Sequence, residues 1–92
     1  MCRNITELRG LEPPATPEEI DAAAWQFVRK VTGMTRPNAT VEADMRAVAL
    51  EIAKLTEGLL ERVPARRQPP PTLPPLRRPE VRARLGLEPF ST

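Results

Sequence analysis

Histidine and tyrosine are absent from this 92-residue chain, cysteine occurs once, and Trp25, Phe27 and Phe90 are its only aromatic residues. Each shortage excludes something. Without histidine the commonest general base and metal ligand is missing, which argues against ordinary hydrolytic chemistry and rules out the Glu-x-x-His pairs of di-iron bundles. A lone cysteine cannot close an intrachain disulfide, as suits a reducing compartment. So few aromatic side chains offer no platform for stacked bases, and sequence-specific reading of nucleic acid is not expected. No run approaches the ~18 apolar residues of a membrane span, and no basic start leads into an apolar stretch of signal length. The default expectation is a cytoplasmic protein with no membrane partner.

What is present divides at Pro64. Residues 1–63 carry eight Lys/Arg against ten Asp/Glu, a net charge of −2. Residues 64–92 carry six Arg against two Glu, a net of +4, with eight of the twelve prolines. A slightly acidic body followed by a basic, proline-rich tail is the charge pattern of an interaction arm.

The body reads as two helices. Thr16, Pro17 and Glu19 form a capping box with proline at the first helical position. Ile20, Ala23, Ala24, Phe27, Val28 and Val31 then mark one buried face, and Gly33 is the expected left-handed stop. The first helix is expected at 17–32. After a connector at 34–38, Asn38 or Thr40 caps a second helix over 39–63. There Val41, Met45, Val48, Ile52, Leu55 and Leu59 advance by alternating fours and threes, the seam of a heptad, until Pro64 ends it. The expected fold is therefore all-α: an antiparallel two-helix hairpin, an irregular N-terminal arm in which Ile5, Leu8 and Leu11 cross the open end, and an extended proline-rich C-terminal tail. The hairpin domain covers 1–63 and the basic tail 64–92, with a short helix possible at 79–85 between Pro79 and Gly86. A body of about 60 residues buries little surface, which favours self-association or a host surface.

Trp25 lies about 140° from the buried stripe of its helix and Leu50 about 180° from the heptad seam. Either the N-terminal arm covers one or both, or they form an exposed apolar contact surface.

The opening Met1-Cys2-Arg3-Asn4-Ile5, the string Leu8-Arg9-Gly10-Leu11-Glu12-Pro13-Pro14-Ala15-Thr16 and the later Gln26-Phe27-Val28-Arg29-Lys30-Val31-Thr32-Gly33 resemble the small bacterial domain of unknown function 2277 family. The resemblance covers roughly the first 60 residues. The tail strings Arg66-Arg67-Gln68-Pro69-Pro70 and Pro74-Pro75-Leu76-Arg77-Arg78-Pro79-Glu80-Val81-Arg82 are similar to those of actinobacterial members. The resemblance implies a fold and no assigned activity.

Cys2 is the one reactive candidate. Removal of Met1 would leave an N-terminal amine beside a thiol, a chelating or nucleophilic pair, with Arg3 favouring the thiolate. One cysteine without histidine cannot complete a tetrahedral zinc site, although a symmetric oligomer could pool several. The blander reading, a small buried anchor for the arm, is preferred, and no cofactor is expected. Glu18, Glu19 and Asp21 fall in a first helical turn, where the helix dipole explains them. Glu42, Asp44, Glu51, Glu57 and Glu61 lie off the seam and read as a solvated face.

The tail carries more weight. Arg66-Arg67 and Arg77-Arg78 lie eleven residues apart, about 34 Å in polyproline II, and Arg82 and Arg84 extend the run. Spaced arginines on a stiff rod suit phosphates along an RNA or the acidic surface of a large assembly. The bland alternative is a solubilising tail. Pro71-Thr72-Leu73-Pro74 matches PxxP only weakly, since Leu76 stands where common SH3 ligands carry a base. The expectation is a non-enzymatic binding or adaptor protein whose tail docks on a larger partner, an RNA-containing assembly such as the ribosome being favoured. The alternatives are a thiol- or metal-dependent role at Cys2 and a self-assembling structural module, with homo-oligomers possible.

Overall fold

Thr16 and Glu19 start helix α1 (Pro17–Thr32) by capping each other. The Glu19 N–H donates to Thr16 Oγ1 at 3.2 Å, and the Thr16 N–H donates to Glu19 Oε1 at 2.8 Å. Gly33 ends the helix at φ 68°, and its N–H donates to the Arg29 carbonyl at 2.9 Å. Any other side chain would strain that left-handed turn. Helix α2 (Ala39–Arg62) is capped by Asn38, whose Oδ1 accepts from the Val41 N–H at 2.9 Å. Val63, held extended by the following Pro64, stops it.

The computed structural model describes residues 4–64 and 73–90, which contain these two helices, a 3-10 turn at Pro75–Arg77, a short helix α3 (Pro79–Arg84) and no strand. The start of α1, at Pro17 and Ile20, lines the same recess as Leu60 and Glu61 at the end of α2, so the two long helices run antiparallel. They meet along one row each: Ile20, Ala24 and Val28 against Met45, Ala49 and Ala53. Both rows advance by four residues, and three of the six side chains are alanine.

That row corrects the expected faces. Of the heptad seam only Met45 is buried; Val41 and Ile52 are partly covered, and Val48, Leu55 and Leu59 are exposed. On α1, Phe27 and Val31 are likewise exposed. The cause is alanine. Small side chains let the backbones approach, and the contact follows the i+4 ridges of both helices rather than the large residues beside them.

Of the N-terminal arm, Leu8 and Leu11 pack inward while Ile5 is exposed. Leu11 is buried, Leu8 packs on the core, and the Asn4 N–H donates to Gln26 Oε1 at 2.6 Å. The C-terminal tail differs. Residues 69–71, read as polyproline II, lie outside the described residues, but 73–90 do not form an extended arm. Pro75 and Pro79 take the first positions of the 3-10 turn and of α3, and Gly86, at φ 73°, follows as the stop. Pro74, Pro75, Arg77 and Val81 are buried.

Candidate functional site

The C-terminal segment is tied to the body by one charged residue. Arg77 is 6% exposed and Glu19 3%. Arg77 Nε donates to Glu19 Oε2 at 2.7 Å and Nη2 to Glu19 Oε1 at 3.1 Å, the fork geometry in which arginine binds carboxylate best. Nη2 also donates to the carbonyls of Pro13 at 2.6 Å and Pro14 at 3.0 Å. The Phe90 ring lies over the guanidinium, 4.5 Å from centroid to carbon. Removing two charges from water costs several kcal/mol each, so such a pair is tolerable only when its remaining donors and acceptors are met. Here the cap supplies that as well, since Glu19 Oε1 also accepts from Thr16.

Arg77 is therefore not the exposed polyanion contact that its sequence context suggests: its Nε and Nη2 donors face inward. Nothing local in the sequence joins residues 58 apart, and Arg77 is one arginine among six in residues 64–92. Glu19 was read correctly as a cap and incompletely as nothing more.

The other described tail arginines, Arg78, Arg82 and Arg84, are less buried. Arg78 is half-buried, with Nε donating to the Leu73 carbonyl at 3.0 Å. Arg82 is half-buried and joins α3 to its flanks, donating from Nη1 to the Leu76 carbonyl at 2.7 Å and from Nε to the Glu88 carbonyl. Arg84 is exposed. Cys2, Arg66 and Arg67 lie outside the described residues.

Trp25 and Leu50 come together on one side of the helix pair, around a shallow depression lined also by Asp21, Arg46 and Ala49. Trp25 is half-buried and Leu50 exposed. The residue over the Trp25 ring is Arg46 of α2, its guanidinium carbon 3.7 Å from the ring centroid. A cation–π contact thus covers Trp25 where the N-terminal arm was one expectation. Glu42 holds the same arginine at 3.5 Å.

The opposite side is the more apolar. Val48, Leu55 and Leu59 of α2 are 52%, 73% and 51% exposed, and Phe27 of α1 is 47% exposed. Phe27, Ala23, Ile52 and Thr56 line one groove there, with Ile5 and Leu8 of the arm at its end. The sequence announced these residues as a seam but placed it inside the chain.

These features define a class: a small all-helical protein whose two long helices meet through alanine and whose C-terminal segment is joined to the first helix by a buried ion pair. Among the described residues no helix is long and apolar enough to cross a membrane. The chain belongs to the DUF2277 family of uncharacterized conserved proteins, whose profile matches residues 1–84 and so spans both Glu19 and Arg77. No curated protein and no solved structure matches it.

Proposed function

We propose that the chain is a non-enzymatic binding protein: a helical body that docks on a larger partner through its basic C-terminal segment, with an RNA-containing assembly such as the ribosome as the partner class. The observation that carries this reading is the inward turn of Arg77. It pins residues 73–90 to the body while Arg78 and Arg84 remain toward solvent, so a polyanion meets a surface already in place and little ordering entropy is lost on binding. The net charge of +4 over residues 64–92 supplies the attraction.

The test is salt-dependent binding to single-stranded RNA by the full chain. With Arg77 withdrawn, Arg66, Arg67, Arg78, Arg82 and Arg84 remain, so the log–log slope against salt should be no steeper than about −3.5, at about −0.7 per phosphate. Changing Arg66, Arg67, Arg78 and Arg84 to Ala should remove most of the binding and leave helicity unchanged, and affinity should vary little with nucleotide sequence. Binding that survives those four changes, or ignores salt, sinks the polyanion reading.

A further inference from the structure

Helix α2 carries two apolar rows: the chain buries one and covers the other only in part, at Val41 and Ile52. At about 100° per residue, Val41, Val48, Ile52, Leu55 and Leu59 centre roughly a quarter turn from the Met45–Ala49–Ala53 row that meets α1. On α1, Ala23 and Phe27 fall on the same side, since they line one groove with Ile52 and Thr56. A helix that buries two rows a quarter turn apart has two helical neighbours, which is the situation inside a four-helix bundle. We propose that this side of the helix pair is the interface of a homodimer, in which two copies stack face to face as a four-helix bundle. This goes beyond the polyanion reading and stands independently of it.

Three observations favour a second copy as the occupant. Val48, Ile52, Leu55 and Leu59 of the outer row keep the 4-3-4 spacing that suits packing against a nearly aligned helix, and a two-fold axis supplies such a helix without any other partner. Apolar area points the same way. Val48, Leu55, Leu59 and Phe27 together leave on the order of 400 Å² of apolar surface in water, within the range of the largest patches on monomers and about half of the ~800 Å² per partner of a stable interface. Ile5, Ile52, Ala23 and the polar rim supply the remainder.

Charge then selects the arrangement. Asp44 and Glu51 edge the α2 part of this side, and Lys30 edges the α1 part. A two-fold axis parallel to the helices lays α2 on α1 of the second copy and brings Asp44 level with Lys30 of the second copy, both being at the connector end of the pair. An axis across the helices would lay α2 on α2 and set Glu51 against its own copy. Opposite charges facing each other, with like charges kept apart, fix the register of such interfaces.

Sedimentation equilibrium of the full chain over a wide concentration range tests this. The wild type should be a dimer. Leu55→Glu and Val48→Glu should each raise the dissociation constant by ~100-fold or more, since a charge is placed within the apolar centre. Both positions are exposed in the single chain, so circular dichroism should show helicity retained. Leu50→Glu, on the Trp25 side, should leave the dimer intact. Lys30→Asp should loosen it and the added Asp44→Lys should restore it. A chain that stays monomeric throughout, or a dimer that ignores both Leu55→Glu and Val48→Glu, overturns the proposal.

Discussion

The helix pair and the C-terminal segment are held by opposite means. Between α1 and α2 the central contact is a row of apolar side chains, half of them alanine, flanked by the Arg46–Trp25 stack, and many slight contacts share the work. Between the body and residues 73–90 a single guanidinium reaches Glu19, Pro13 and Pro14, so most of the polar attachment passes through one residue. The difference teaches where each region is vulnerable. The pair should respond to volume, and the segment to the loss of one group.

The sharpest way to break that contrast is Arg77→Ala. Removing one partner leaves the Glu19 carboxylate buried and unpaired, which should cost about 3–5 kcal/mol in urea denaturation. Amide exchange should accelerate through residues 73–90 before it does in α2. Arg77→Lys should recover little, because an ammonium cannot supply the planar fork. A loss below ~0.5 kcal/mol, within the range of ordinary surface substitutions, would mean that Pro74, Pro75 and Val81 hold the segment without the pair.

A smaller effect should come from crowding the helix contact. Ala49→Leu adds volume at a buried position of the helix contact and should cost about 1–3 kcal/mol. If the heptad residues governed this contact instead, the larger side chain would be neutral or stabilising. Smallest of all should be Asn38→Ala, which removes the α2 cap for about 1 kcal/mol and should leave exchange in residues 73–90 untouched.

The local grammar of the helices was legible. Thr16, Glu19, Gly33 and Asn38 each act through neighbours within four residues, so their roles can be read from spacing alone. The phase of the helix contact was not. A pattern that weights large apolar residues selects Leu55 and Leu59, whereas Ala49 and Ala53 decide the contact by being small. Arg77 lay further out of reach. A basic residue in a proline-rich stretch reads as solvated, and only the folded chain brings Pro13, Pro14 and Glu19 to it. The apolar side falls between these cases: its residues were visible as a set, but their direction depended on which row α1 would take.

The Glu19–Arg77 pair also sets an order of events during synthesis. The two residues are 58 positions apart, so at about 5–20 residues per second the arginine is made roughly 3–12 seconds after the glutamate. Through that interval α1 and its cap can form from residues already present, because Thr16 and Glu19 need no later part of the chain. The Pro13 and Pro14 carbonyls and one side of the Glu19 carboxylate meanwhile remain hydrated. Only once residue 77 has been made can its guanidinium replace that water, and Phe90, made later still, completes the cover.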